Sequence, residues 1–485
     1  MAVGCVNRAA PFLLLRECSK LKHLLKCVTC GREFEPEPSL YTCPHCGDRF
    51  GTLEVLYDYD RAHFDSLSPH SELGIGQFLP LLPLEGLPEL PFVVGNTPLI
   101  KLEKFERRYG LKAFYLKDDG RNPTASYKDR ATYVVIGKAQ EWGFKTIFAA
   151  STGNAATSLA GLTAAAGLKA VVFVPARIPE GKLAQLLVYG ATVLIVDGSY
   201  DDAYDLAVEV GFKKGWYCRN TAINPYLLEG KKTGALELAL QLNWDVPDVV
   251  FVPVGDGTVI SGICKGFMEL KKIRRIDTIP AVIGVQAEGS DIVKRVFEHY
   301  IATGEIVLMD REASTIADSI SAGKPRDVVK AVRYVKETGG TFLSVSDEEI
   351  GTALVSLARE TGVFVEPAAA ASYAGFLKMA ETGDLKNKRV EFFATGNGLK
   401  DVKTAQSFVG KALRVSNDPE EAFRLLAKAI EQEKELAVLW RVRAQFLNLD
   451  GQYAEALADA DHAVHLEPLN PENFAVRGDA YYMAN

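Results

Sequence analysis

Four cysteines and one lysine carry the most legible chemistry of this 485-residue chain. Cys27-Val28-Thr29-Cys30-Gly31 and Cys43-Pro44-His45-Cys46-Gly47 are two C-x2-C-Gly knuckles, with twelve residues between Cys30 and Cys43. Each knuckle presents two thiolates at a tight turn, with Gly31 and Gly47 supplying a permissive backbone. Four thiolates close a tetrahedron with no open position, so the expectation is a structural Zn²⁺ held by Cys27, Cys30, Cys43 and Cys46. A segment this short has almost no core of its own, and a structural zinc contributes on the order of 10 kcal/mol. His45 lies inside the second knuckle and is not expected as a ligand.

The lysine is Lys128, in Asn122-Pro123-Thr124-Ala125-Ser126-Tyr127-Lys128-Asp129-Arg130. Pro123 fixes its own φ and pushes Asn122 out of the helical region, so the stretch begins as a loop. Ser126 reads as the N-cap of a helix over Ser126–Trp142, which puts Lys128 in its first turn. The positive end of the helix dipole disfavours a cation there. That lowers the pKa of the amine, which helps one that must be neutral to form a Schiff base. Bringing a lysine from ~10.4 to ~7–8 takes roughly 3–4 kcal/mol. The plain alternative is a surface lysine at a loop–helix junction, and this stretch alone does not separate the two.

Three further motifs sit where a strand pattern ends. Thr146–Ala150 runs into Ser151-Thr152-Gly153-Asn154 and then a helix over Ala155–Ala166. Small polar residues at a helix N-terminus expose main-chain N–H groups, an anion site suited to a carboxylate. Val249–Val254 runs into Gly255-Asp256-Gly257-Thr258-Val259-Ile260-Ser261-Gly262, a glycine-rich turn able to cradle a phosphate. It is neither a Walker loop nor the dinucleotide fingerprint, since the spacing is wrong for both. Val390–Ala394 runs into Thr395-Gly396-Asn397-Gly398, which places a hydroxyl at the sheet edge. Each motif alone could be an ordinary turn. Together they supply a Schiff-base lysine, a phosphate cradle, a carboxylate site and a partner for a pyridine nitrogen, the parts a pyridoxal 5'-phosphate (PLP) site requires.

The elements that must position these residues are those of an α/β domain. From about 92 to 410, strand-like runs at Ala113–Lys117, Thr146–Ala150, Ala170–Val174, Thr192–Val196, Val249–Val254, Ala281–Gln286 and Val390–Ala394 alternate with amphipathic helices. That alternation predicts a largely parallel sheet with ligands at the strand ends. Residues 76–95, rich in Pro, Leu and Gly, read as an irregular packing arm. After Arg414 strand signals stop. Ala422, Ala429, Trp440, Ala444 and Leu447 recur 34 residues later as Ala456, Ala463, Phe474, Gly478 and Tyr481. That period suggests tetratricopeptide (TPR)-like helical pairs, expected to dock on the catalytic domain, a protein partner or a continuation of the repeat. The expected domains are an extension over 1–22, a zinc ribbon over 23–60, a catalytic domain over 61–414 with a smaller lobe at about 131–220, and helical repeats over 415–485.

A net charge of −7 argues against nucleic acid or an anionic membrane as partner. No apolar run is long enough to span a bilayer. Eight cysteines, half of them clustered, fit a reducing cytoplasm better than a disulfide framework. The N-terminal Phe12-Leu13-Leu14-Leu15 run among basic residues is too short for a secretory segment, though an organellar presequence remains compatible.

Over roughly residues 25–412 the chain resembles threonine synthases, PLP enzymes of the tryptophan-synthase-β-like fold, fold type II with two open parallel-sheet lobes. Gly95-Asn96-Thr97-Pro98-Leu99, the Lys128 stretch, Ser151–Asn154, Lys182-Leu183-Ala184-Gln185, Asn224-Pro225-Tyr226 with Leu228-Glu229-Gly230, Phe364-Val365-Glu366-Pro367 and Thr395–Lys400 carry the resemblance. It implies that Lys128 binds the cofactor and moves protons, and that Asn154 hydrogen-bonds the cofactor's phenolic oxygen. It implies that Ser151, Thr152 and Gly153, with Asn154 and Asn224, hold the amino-acid substrate. Gly255, Asp256, Gly257, Thr258 and Val259 would form the phosphate loop, and Thr395 would face the pyridine nitrogen. Family members are often dimers, so a homodimer is expected on resemblance alone.

Two departures bear on the substrate. Threonine synthases usually carry an arginine, gripping the phosphate of O-phosphohomoserine, where this chain has Leu227, and an asparagine where it has Asp256. Lys231 and Lys232 lie one turn from Leu227. Ala125 replaces a usual glycine, a change expected to be minor. The leading expectation is conversion of O-phosphohomoserine and water to threonine and phosphate. The alternatives are a PLP dehydratase or β-replacement enzyme acting on a non-phosphorylated amino acid, and a non-catalytic scaffold of zinc ribbon and helical repeats.

Overall fold

A computed structural model describes residues 23–485 except 65, 152, 177, 179, 199, 411, 413, 418–420, 423, 426–435, 469 and 485. The expected extension over 1–22 and the repeat position Ala429 therefore lie outside the described residues. The chain divides into two compact units, one ending at Val409 and the other beginning at Gly410.

The first unit holds three sheets. Strands β1 (Leu24–Cys27), β2 (Glu33–Phe34) and β3 (Leu53–Leu56) form an antiparallel ribbon in the order β2-β1-β3. A six-stranded sheet combines β4 (Leu99–Lys101), β5 (Ala113–Asp118), β10 (Val249–Pro253), β11 (Ala281–Ala287), β12 (Thr341–Val345) and β13 (Arg389–Ala394), in the order β12-β11-β10-β13-β5-β4. Only the edge strand β4 runs antiparallel to its neighbour in that sheet. A four-stranded parallel sheet takes β6 (Thr146–Ala150), β7 (Lys169–Pro175), β8 (Thr192–Val196) and β9 (Tyr217–Cys218), in the order β8-β7-β6-β9. The seven strands expected from sequence pattern each occur within a residue or so of the expected bounds. The pattern missed β4 and β9, too short to show a period, and β12, whose Thr-Phe-Leu-Ser-Val is interrupted by polar residues.

Central strands read as continuous apolar runs because both faces are covered. All of β10 is buried, whereas the edge strand β8 leaves Ile195 56% exposed. The core of the large sheet stacks Phe114 on Phe376, with ring centroids 4.2 Å apart, the latter from the helix Pro367–Glu381. The Pro/Leu-rich arm is a packed element: Gly74–Leu81 forms 3₁₀ turns that bury Ile75, Phe78 and Leu81.

The ribbon borrows its core from the helices beneath it. Leu25, Cys27, Leu53 and Val55 are buried in the same apolar cluster as Ile263 and Val332. Tyr57 donates to Glu229 at 2.7 Å and Tyr59 to Glu269 at 2.9 Å, while Lys330 donates to the Leu53 carbonyl at 3.1 Å.

In the second unit the helices Ala437–Leu449, Tyr453–Leu466 and Pro471–Ala484 pack through small residues. Ala444, Ala456, Ala460, Ala463 and Ala480 are fully buried, and Arg443 pairs with Asp459. Ala444, Ala456 and Ala463 are positions of the 34-residue spacing, whereas Tyr481, another such position, is 63% exposed.

Candidate active site

Strand order in the large sheet breaks between β10 and β13, and the loops after these two strands face a cavity of about 810 Å³. A volume of this size accommodates a cofactor with a small substrate. The loop after β6 completes its wall. Three separate strand ends thus deliver their motifs to one place, as parallel α/β sheets usually do.

Lys128 lines this cavity as the first residue of the helix Lys128–Glu141. The expected Ser126 N-cap is not formed. Tyr127 holds that position with helical backbone angles, and Ser126 instead bridges Gly396. Tyr127 N–H donates to the Thr395 carbonyl at 2.9 Å, and Asn397 N–H to the Ala125 carbonyl at 3.1 Å. The loop before Lys128 is therefore laced to the loop after β13. Asp129 braces it from inside, accepting from Thr124 N–H at 2.7 Å and from the Thr124 hydroxyl. This lacing has a cost the sequence did not show. Ala125 sits at φ +63°, where a side chain is strained, so its replacement of glycine is not minor.

Removal from water lowers the Lys128 pKa, assisted by Arg219 and opposed by Glu366 and Asp256. Desolvation therefore leads, not the helix terminus from which the sequence argument started.

Ser151, Gly153 and Asn154 line the cavity, the last opening the helix Asn154–Ala165. Thr152, expected beside them, lies outside the described residues. The Asn154 amide donates to both Glu366 oxygens, at 2.9 and 2.8 Å, and more weakly to Ser319 at 3.4 Å. Glu366 was quoted from sequence only as part of a motif, without a role. It caps Pro367–Glu381 in the extended conformation that a following proline favours, which aims it into the cavity. Burial raises its pKa, while the Asn154 hydrogen bond and Lys128 lower it.

The glycine loop also lines the cavity, with Gly255, Asp256, Gly257, Thr258 and Val259 all on its wall. Gly257 takes φ +95° and a Cβ there would lie 2.9 Å from Ala331, so glycine is required twice over. The following helix, Thr258–Lys272, has no side-chain cap, leaving its first N–H groups for a ligand. Thr258 Oγ1 is buried without a partner. Burial raises the Asp256 pKa, and Arg326 and Lys231 oppose it. Thr395 is buried and lines the same cavity.

Two expectations change with the fold. Asn224 lies off the cavity wall: its amide donates to the Cys218 carbonyl at 2.8 Å and its oxygen accepts from Tyr226 N–H at 2.9 Å, so both ends are used in a turn. Lys231 and Lys232 part company. Lys231 lines the cavity, whereas Lys232 is fully buried between Glu229 and Glu269 at 2.6 Å each. Leu227 is wholly buried and stops short of the cavity.

These features fit PLP. A depressed lysine pKa, an uncapped helix N-terminus behind an obligatory glycine, an orphan hydroxyl beside it and a neutral threonine in the same cavity match its aldehyde, phosphate and ring nitrogen. Comparison with known proteins agrees. Residues 90–396 match the family model described as pyridoxal-phosphate dependent enzyme. A threonine synthase of Methanocaldococcus jannaschii is 38% identical over 403 residues, covering 82% of this chain and 96% of that protein. The threonine synthase of Methanosarcina acetivorans is 40% identical, covering 78% and 93%. The chain belongs to the threonine synthase family of PLP-dependent enzymes. Among solved structures, a Rhizomucor miehei L-serine ammonia-lyase (TM-score 0.56, 21% identity, 64% and 96% covered) has the same fold. So does tomato threonine deaminase isoform 2 (TM-score 0.55, 22% identity, 65% and 83% covered). Family membership retires the non-catalytic scaffold reading.

Away from this cavity, the Sγ atoms of Cys27, Cys30, Cys43 and Cys46 all lie within 4.8 Å of one another. Cys30 and Cys43 are 3.8 Å apart, the edge of a tetrahedron with arms of about 2.3 Å.

Proposed function

We propose that this family member converts O-phosphohomoserine and water to threonine and inorganic phosphate. The observation that carries the reading is 38–40% identity to threonine synthases across nearly their whole length. The Cγ–O bond breaks and phosphate leaves with the electron pair; water oxygen adds at Cβ, a proton leaves Cβ and a proton reaches Cγ. The bound cofactor supplies an electron sink for negative charge developed at Cα. Lys128, its pKa lowered by desolvation, takes and returns the proton at Cα and serves the carbons beyond it. The Ser151 hydroxyl and the N–H groups of Gly153 and Asn154, at a helix N-terminus, hold the substrate carboxylate. Glu366 fixes the Asn154 amide, which would hold the cofactor's phenolic oxygen. Thr395 would face the ring nitrogen with an uncharged hydroxyl. Asp318 on the cavity wall is held by an ion pair with Lys182.

The test is product analysis. O-phosphohomoserine should yield phosphate and threonine in equal amounts. Ammonia and a keto acid from serine or threonine, with no phosphate release, would replace this reading by the second one, a dehydratase or β-replacement enzyme. Leu227 and Asp256 favour that second reading, since neither offers a cation to a substrate phosphate.

The cysteine cluster is read as a structural Zn²⁺ site that holds the ribbon on the helices below. One zinc per chain by atomic absorption, absent from Cys43→Ser, is the expected result; a metal-free parent that folds normally would remove it. The second unit is read as TPR-like and as the site of a protein partner. A zinc–thiolate site suits a reducing compartment such as the cytoplasm.

A further inference from the structure

Among the described residues, and apart from Lys128 itself, several buried lysines are matched by carboxylates or carbonyls. Lys117 reaches Glu237, Lys232 reaches Glu229 and Glu269, Lys265 reaches Glu229, and Lys330 reaches Asp327. Lys231 is the contrast. It is as deeply buried as these, yet its Nζ has no hydrogen-bond partner among the described residues, and it lines the cavity. A buried, unmatched ammonium costs several kcal/mol, so a retained one calls for a ligand.

Its position says what kind. The helix Tyr226–Lys231 runs so close to Thr258–Lys272 that a Cβ on Gly262 would fall 2.8 Å from the Lys231 Cβ. Lys231 therefore stands beside the first turns of a 15-residue helix whose N-terminus is uncapped. Thr258 Oγ1, at that N-terminus, is likewise buried and partnerless. A lysine, a hydroxyl and free main-chain N–H groups converging on one wall are the donors a tetrahedral dianion takes. Asp256 and Asp327 are the acidic groups acting on Lys231, and Lys128 and Arg219 are the basic ones. Neither aspartate reaches Lys231 at ion-pair distance among the described residues, so its Nζ is left for a ligand.

We infer that Lys231 is the fixed cation of a phosphate-monoester site at the N-terminus of the helix Thr258–Lys272, completed by Thr258 and the Gly255–Gly257 turn. The phosphate comes from the cofactor or from a phosphorylated substrate. For the second source the inference rests on the function proposed above; for the first it does not. Burial, reinforced by Lys128, drives Lys231 toward the neutral amine, so the phosphate dianion is also what keeps it protonated.

The test compares the parent with Lys231→Met, which keeps the stem, and Lys231→Arg, which keeps the charge. Titrating the apoproteins with PLP and with pyridoxal reads the cofactor source. Loss of at least about 10-fold in PLP affinity, with pyridoxal unchanged and Lys231→Arg largely restored, assigns the site to the cofactor phosphate. Titrating the holoproteins with inorganic phosphate reads the substrate source without turnover. An equal loss there, with PLP affinity intact, assigns the site to the substrate phosphate. If PLP and phosphate each bind Lys231→Met as they bind the parent, or if pyridoxal weakens as much as PLP, the inference is overturned. Failure of the parent to act on O-phosphohomoserine would reject the proposed reaction and leave these binding results readable.

Discussion

Two clusters of buried charge lie back to back on the helix Lys128–Glu141, and they behave in opposite ways. Arg130 faces one. It bonds Asp119 at 2.6 and 2.9 Å and Glu237 at 3.0 and 3.1 Å; Lys117 reaches Glu237 at 2.5 Å, and Thr97 joins Asp119 at 2.7 Å. Lys128 faces the other, with Lys231, Asp256 and Glu366 around the cavity. Residues two apart on a helix point about 200° away from each other, so neighbouring cations serve different ends. In the first cluster two cations match two carboxylates and nearly every donor is used. In the second, Lys231 and Thr258 are left without partners. The residue types are alike. Satisfaction separates a cluster that holds the fold together from one that awaits a ligand.

Breaking the open cluster should stop chemistry and spare the fold. Lys128→Ala is expected to lower kcat by at least about 10³-fold. Its melting temperature should stay within about 2 °C of the parent's apoprotein. A variant that keeps near-normal turnover would remove Lys128 from the mechanism. Breaking the closed cluster should do the reverse. Arg130→Met leaves Asp119 buried without a cation and Glu237 with Lys117 alone, at a cost of about 3–5 kcal/mol in urea unfolding. Turnover per folded molecule should survive, and an unchanged unfolding midpoint would mean the network is not structural.

A third closed group lies under the ribbon. Burial alone would raise the Glu229 pKa, but Lys232 and Lys265 outweigh it and hold the carboxyl down at about 2, against 4.5 ordinarily. The folded-state pKa is depressed, so this stabilisation is fully present above pH 4.5 and is lost as pH falls toward 2. Glu229→Gln should flatten the stability–pH curve across that window. A parent and variant with parallel curves would contradict the pairing. The smallest effect concerns the loop that links the two clusters. Ala125→Gly relieves a left-handed alanine at φ +63° and should stabilise by about 0.5–1 kcal/mol, after the extra freedom of glycine in the unfolded chain is counted. A loss of stability would show that the alanine side chain contributes packing.

How far the site was legible depended on the range of its signals. Lys128, Ser151, Asn154, the 255–259 loop and Thr395 were readable because each lies at a strand end marked by its own glycine, proline or small polar neighbours. The seven expected strands appeared for the same reason, as contiguous apolar runs. Glu366 went without a role because nothing next to it declares one. Its partner Asn154 is 212 residues away in the chain. Asn224 stands off the cavity wall: a motif match does not say which way a side chain turns, and here both ends of its amide close a local turn. Ser126 looked like an N-cap by residue type, yet the Thr395 loop took the backbone positions that a cap would need.

The sequence by itself determined the α/β alternation, the cysteine knuckles and the family, since all three are written in short spacings or in matched residues along the chain. Only the tertiary structure decided which of two adjacent lysines meets the cavity. Lys231 and Lys232 are consecutive on one helical path, so about 100° of rotation sends one toward the glycine loop and the other toward Glu229 and Glu269. No local pattern encodes that choice; it depends on where the helix Thr258–Lys272 packs.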